Sequence, residues 1–379
     1  ERIAAEKYAP FNRLVDTEEP RTEQGADGAL RVVLPQATQD ALEAYAASGM
    51  LAAAQDDELG GMQLPFVVEA AANTFFSKAS VSINSALLTV GNANLLLAHG
   101  TPLQQRVFAH QELSGRWSGT MCLSEPQAGS SLSDVATRAE LEDADDPLGP
   151  RYRLRGNKMW ISSGEHELTE NIVHLVLAKI PDASGRLVPG VRGISLFIVP
   201  KKLVDADGRL TGQRNDVALA GLNHKLGWRG TTNTLLNFGE GQFPVDGKAG
   251  AVGYLVGQPG EGLKCMFHMM NEARIGIDDE QRGIVFESGK TVIDDNDLEG
   301  AQQALQFGRI THRDETPDGR VGMQFVGVTR QRRVIVTHRV EADRQQAHLC
   351  RGAVRRGDAG LQLLESAAQR RAHAHAPGV

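Results

Sequence analysis

Residues 119–135 read GTMCLSEPQAGSSLSDV. An apolar run, Met121-Cys122-Leu123, stops at Ser124, a carboxylate and a proline. Small and hydroxyl residues follow, with Gly129 beside Ser130 and Ser131. Taken alone this is a strand and a Pro-Gly turn, which needs no ligand to explain it. Further on, KMWISSG repeats the arrangement, with Trp160, Ile161 and Ser162 at a second strand end. Two strand ends that offer bare amides and hydroxyls beside an indole suit a planar heteroaromatic ligand. The polar groups can hydrogen-bond ring heteroatoms, and Trp160 can pack against the ring. Ser130, after a glycine, can approach a phosphate closely.

Other motifs fail on inspection. HELTE at 166–170 has Glu170 where a zinc-protease helix needs its second histidine, so no metal site is expected. GQPGEG at 257–262 lacks the GxGxxG order and the preceding strand of a dinucleotide fold, and it reads as a turn into a helix. No GxSxG nucleophile motif occurs. Any nucleotide cofactor is therefore held outside a Rossmann frame.

These residues need a scaffold, and the chain supplies enough length for one. It has 379 residues, 41% hydrophobic, with a net charge of −7. That length supports two or three domains with real cores. The acidic balance argues against a nucleic-acid partner, and no apolar run is long enough for a membrane span. The start, ERIAAEKYAP, has no apolar signal core, which reads as a fragment or processed start of a cytoplasmic protein. Cys122, Cys265 and Cys350 are odd in number and far apart, as reduced thiols would be.

The order of elements is helical, then β, then helical. QDALEAYAASGMLAAAQ has helical apolar spacing, and Thr101-Pro102-Leu103-Gln104 carries start chemistry: a cap, a first-turn proline and a capping-box glutamine. Gly100 and Gly115 mark the ends of that helix. YRLRGNKMWISSG, NIVHLVLAKI, GISLFIVPKKL and TLLNFGE are β-branched or aromatic runs punctuated by Gly, Pro and Asn, as in an antiparallel sheet or barrel. In GLKCMFHMMNEARIG, Leu263, Met266, Phe267 and Met270 share one helical face. Beyond Gly276 the composition changes. Residues 275–379 hold 14 Arg against 1 Lys, where residues 1–274 hold 16 against 9, and neither Tyr nor Trp follows Tyr254. DLEGAQQALQF reads as a helix and VGMQFVGVT as a strand.

Together, MCLSEPQAGSS, KMWISSGEHELTENIVHLVLAKI, GLNHKLGWRGTTN and MFHMMNEARIG resemble the acyl-CoA dehydrogenase family, in its longer bacterial branch. The resemblance runs from about residue 1 to Ile277. It implies an α+β multidomain fold: an N-terminal helical domain (1–117), a middle antiparallel β-barrel domain (118–245) and a C-terminal helical region (246–379), family-like only to about 277. By the same resemblance FAD binds non-covalently. Met121, Cys122, Leu123 and Ser124 line the flavin, and Trp160, Ile161 and Ser162 cover its ring. Ser130, Asn271 and Arg274 meet the acyl-CoA substrate. Ser131 stands where many members have Asp, which leaves that position open. An electron-transferring flavoprotein as electron acceptor and a homo-oligomer are further implications of the family.

The family's glutamate base, in a YEGT-like motif late in the bundle, has no counterpart here. Glu287 and Glu341 lie in the right third, but nothing around either matches the motif. Three readings follow. One is an FAD-dependent dehydrogenase that desaturates an acyl-CoA thioester. Another is an inactive, truncated or frame-altered member that keeps part of the site. The last is an oxygen-using oxidase, which peroxide formation would reveal.

Overall fold

The computed structural model describes residues 1–25, 28–83 and 86–274, together with the backbone of three strands at 309–315, 321–326 and 339–342. The chain divides into two compact units, Glu1–Ser288 and Gly289–Val379.

The first unit begins with helical turns ending in α1 (Asn12–Thr17), then a small hairpin of β1 (Arg21–Gln24) and β2 (Leu30–Val33). This hairpin is a departure from the all-helical reading of the N-terminal segment. It is followed by α2 (Gln36–Ala47), α3 (Phe66–Ser80) and α4 (Ala86–His99). The next helix is Pro102–Gln104, continued through the wider π-turn Gln105–Ala109 into His110–Leu113. Its start is the capping box expected: Gln104 N–H donates to Thr101 Oγ1 at 3.2 Å, and Thr101 N–H donates to Gln104 Oε1 at 3.0 Å. Gly115, at φ +77°, takes the chain out of the helix in the left-handed conformation.

Ten strands follow: β3 (Trp117–Cys122), β4 (Arg138–Asp143), β5 (Arg151–Ser162), β6 (Asn171–Lys179), β7 (Ile194–Pro200), β8 (Lys202–Val204), β9 (Leu210–Arg214), β10 (Val217–Leu222), β11 (Asn233–Phe238) and β12 (Ala251–Val256). The order in the main sheet is β10-β11-β5-β12-β7-β6-β3, with β4 bridging β5 and β6. The ring β5-β12-β7-β6-β4 therefore closes on itself as a small barrel. Most pairings are antiparallel, as expected, but β3 lies parallel to β6 along its whole length. The sheet also continues past residue 245, because β12 sits between β5 and β7.

Every residue of β6, β7 and β12 is buried, which explains their largely apolar sequences: both faces are covered. One face packs on α4, the 102–113 helix and the helix at 262–274, through Ala93, Leu96, Phe108, Trp117, Met266 and Met269. The other core fills the barrel around Leu154, Phe197, Val199 and Phe238.

In the second unit, β13 (Arg309–Glu315), β14 (Val321–Val326) and β15 (Arg339–Ala342) form an antiparallel sheet in that order. The strand expected at VGMQFV is present as β14. The helix read in DLEGAQQALQF lies outside the described residues, as do Glu287 and Cys350; Glu341 falls on β15. Among the described residues beyond 274 the backbone is strand, where the resemblance implied helices.

Candidate functional site

The end of β3 and the end of β5 lie side by side. Met159 N–H donates to the Ser124 carbonyl at 3.0 Å, and Thr120 Oγ1 donates to the Ser162 carbonyl at 2.7 Å. Ser124 thus sits one residue from Trp160, within a single strand spacing. The pairing of β11 with β5 slips at this point. Thr234 opposes Ile161 and Leu236 opposes Lys158, so Met159 and Trp160 together face the single residue Leu235. This is a β-bulge, and it reverses the alternation of side chains. Lys158 points inward, Trp160 outward and Ile161 inward again.

Trp160 takes φ +65° and is 57% exposed. A bulky aromatic in left-handed backbone costs on the order of 1–3 kcal/mol, and such strain collects at functional sites. The surroundings over-determine it. Besides the two bonds above, Thr234 Oγ1 donates to the Ile161 carbonyl at 3.0 Å, and Ser163 N–H donates to the Thr232 carbonyl at 3.0 Å.

The other sequence-predicted residues divide by exposure. Met121, Leu123, Ser124 and Ser162 are half-buried around the strand ends. Cys122 and Ile161 turn their side chains into the barrel core, so only their backbone faces outward. Cys122 Sγ lies 4.0 Å from His174 Nδ1, and burial pushes its thiol up to about 12, far from thiolate chemistry. Ser130 is exposed at a bend that returns through the short Glu125–Ala128 bridge. Asn271 and Arg274 lie exposed on the 262–274 helix, joined by a 3.0 Å bond from Arg274 Nη1, with the guanidinium 5.7 Å from the Phe267 ring centre. No hydrogen bond joins them to the Ser124–Trp160 group among the described residues.

Sequence reasoning missed the buried charges beneath this surface. Lys158 is fully buried; its Nζ donates to the Leu123 carbonyl at 3.0 Å and to Glu125 Oε1 at 2.8 Å. Glu125 accepts five donors in all, the others being Gln127 Nε2, Ala136 N, Thr137 N and Thr137 Oγ1. Burial alone would raise its pKa; the Lys158 charge and the donated bonds outweigh burial and hold the carboxylate below its usual range. The signal available in the sequence was a lysine inside a β run, KMWIS, with a carboxylate directly after the other strand end.

The HELTE segment has a structural role. Lys201 Nζ bonds Glu165, the His166 carbonyl at 2.8 Å and Glu167 at 2.8 Å, while Arg214 reaches Glu165 at 3.0 Å. Among the described residues no group of His, Cys, Asp and Glu could hold a metal ion.

An outward indole on strained backbone, beside half-buried hydroxyls and strand-end amides, fits a flat heteroaromatic group such as an isoalloxazine. A helical segment, a small barrel with this edge and a further helix on the sheet align with solved acyl-CoA dehydrogenases. Butyryl-CoA dehydrogenase of Megasphaera elsdenii aligns with TM-score 0.56 at 19% identity, over 80% of this chain and 72% of that one. An acyl-CoA dehydrogenase of Bacillus anthracis, solved in complex with FAD, aligns with TM-score 0.55 at 20% identity, over 81% and 45%. In sequence the chain is 40% identical to 3-methylmercaptopropionyl-CoA dehydrogenase of Ruegeria pomeroyi over 277 residues, 73% of this chain and 43% of the relative. It is 35% identical to a butyryl-CoA dehydrogenase of Syntrophomonas wolfei over 264 residues, 67% and 40%. No protein-family profile matches. The chain belongs to the acyl-CoA dehydrogenase family through its first 277 residues or so, and it departs from the family beyond them. It spans about two fifths of the length of these curated relatives.

Proposed function

We propose that the chain carries the flavin and thioester sites of an FAD-dependent acyl-CoA dehydrogenase, which desaturates an acyl-CoA between its α and β carbons. The observation that carries this reading is Trp160, held outward on a bulge directly beside Ser124. A bound flavin supplies the hydride acceptor for the β carbon. The chain's own residues bind and shield. Backbone at Met121, Cys122, Leu123 and Ser124, with the Ser162 hydroxyl, meets the polar edge of the ring. Trp160 packs on its face and excludes water, strengthening every dipole nearby. Ser130, Asn271 and Arg274 receive the anionic CoA portion. The division into 1–117, a β domain from 118 and a helical region after the sheet follows the same reading. So do a homo-oligomer and an electron-transferring flavoprotein as electron acceptor. Among the described residues the buried free thiols Cys122 and Cys265 support a reducing, cytoplasmic setting. Among the described residues no helix is long and apolar enough to cross a membrane.

The α proton needs a base, and Glu125, the carboxylate next to Ser124, is not that base. Its five donors and lowered pKa hold it ionised but fully engaged. With the departure from the family beyond Ile277, this favours a second reading: a member that binds flavin and acyl-CoA without turning over. One experiment separates the two. Purified protein is reconstituted with FAD and titrated anaerobically with butyryl-CoA and with 3-methylmercaptopropionyl-CoA while the visible flavin band is followed. Bleaching supports the dehydrogenase. A perturbed but unbleached band supports the inactive member, and failure to retain any flavin sinks both.

A further inference from the structure

We infer that Lys158 and Glu125 are positioning residues for the proposed flavin site: a buried ionic clamp that sets the β-bulge and keeps Trp160 outward. The inference rests on the functional reading above.

Three observations carry it. First, the pair is placed where it acts on both strand ends at once. Lys158 belongs to β5, two residues before Trp160, yet its ammonium grips the Leu123 carbonyl and the Glu125 carboxylate on the segment leaving β3. Glu125 in turn gathers the amides of Ala136 and Thr137, so the 125–137 loop that carries Ser130 is tied to the same point.

Second, the alternation of β5 depends on Lys158. A regular strand would send residues 158 and 160 to the same face. They point to opposite faces only because Met159 and Trp160 share one partner, Leu235. A bulge can slip by one residue, and that slip would carry Trp160 toward the core. An ammonium fixed at its tip by a carbonyl and a carboxylate cannot follow such a slip without losing both.

Third, stability alone does not account for the pair. Lys158 is 0% exposed and Glu125 4%, and burying two charges is a weak route to stability. Well-packed apolar residues of similar size serve a core as well. What they cannot do is satisfy the Leu123 carbonyl and the Ala136 and Thr137 amides together.

The test compares wild type with K158M, E125Q and the neutral double variant K158M/E125Q, which has no unpaired buried charge. V199A, a cavity in the same barrel core that leaves both charges of the pair in place, serves as the control. FAD affinity is read by flavin fluorescence quenching. Hydrogen exchange of the Met159 amide, which donates to Ser124, reports the strand ends without cofactor. The clamp predicts at least a tenfold loss of FAD affinity in K158M and in the double variant. It also predicts at least tenfold faster exchange at Met159 while β6 and β7 amides stay protected. In V199A stability falls but FAD affinity does not. Met159 exchange unchanged in the double variant overturns the inference, as does an equal loss of FAD affinity in V199A. If wild type itself binds no FAD while the Met159 result holds, the flavin reading has failed and the clamp's role at that site falls with it.

Discussion

At the scale of single residues, Trp160 shows strain and exposure meeting in one side chain. Its removal has two effects of opposite sign. Trp160→Gly relieves the left-handed backbone and should raise the stability of the cofactor-free protein by about 0.5–1 kcal/mol. It should weaken FAD binding by about 1–3 kcal/mol through lost ring packing. Thermal melts and flavin titrations on the same preparation check both; unchanged FAD affinity would leave Trp160 without a role in the site. Glu112 is a second case. It is fully buried, neither oxygen has a partner, and burial raises its pKa well above the usual carboxylate range. It meets Asn92 across Gly119, where any side chain would overlap both, and the Asn92 Oδ1 is likewise unpartnered. A protonated Glu112 is a donor, and an amide in its place needs no proton. Glu112→Gln should therefore stabilise the protein by about 1–3 kcal/mol at pH 7.5, and by much less at pH 5. Equal effects at the two pH values would show that Glu112 is ionised in the fold. Of these details only Trp160 was legible beforehand. A bulge is a relation between two strands, and Leu235 gave no sign that it would face two residues.

At the scale of elements, local chemistry was legible and partnership was not. The Thr101–Gln104 capping box and the helix end at Gly115 came true because each depends on residues within a few positions. The runs of β6 and β7 announced strands for the same reason. Direction was hidden: an apolar run gives no clue that β3 will lie parallel to β6, since hydrophobicity reads burial and not polarity of the chain. Lys158 and Lys201 were equally opaque. A lysine in a strand reads as solvent-facing, and its buried partners, Glu125 and Glu165, are 33 and 36 residues away. What the resemblance added was register: it singled out 121–124 and 160–162, which fold side by side. Asn271 and Arg274, singled out in the same way, bond only each other among the described hydrogen bonds.

At the scale of the whole molecule, opposed buried groups shape the pH dependence. Burial and the nearby Lys201 charge lower His166 and His174 to about 3, so the fold excludes protons that the unfolded chain takes up below about 6.5. That stability is complete above pH 6.5 and is lost as pH falls toward 3. Burial raises Glu69 and Glu272 to about 7, with the opposite sign: their contribution is lost as pH rises from about 4.5 to 7. The two pairs largely cancel between pH 5 and 6.5, so Glu112, raised by burial with the sign of Glu69 and Glu272, leaves a gentle decline as pH rises. Below about 4.5 the histidines act unopposed, each costing roughly 1.4 kcal/mol per pH unit, and Glu125 begins to lose its bond to Lys158. Urea midpoints from pH 3.5 to 8 should show this gentle decline and a steep acid limb; a protein equally stable at pH 3.5 and 4.5 contradicts it.

The position of β12 has a consequence for how the protein is made. It is the last strand of the main sheet to be synthesised, yet it fits between β5 and β7. A chain emerging from the ribosome therefore carries two unpaired edges until Val256 is free, however early its helices form. Chains ending at residue 250 should keep that slot open and pair with one another through it, collecting in the pellet, while chains ending at 274 stay in solution. Expressing the two lengths side by side decides the matter, and equal recovery would mean the barrel can close without its final stave.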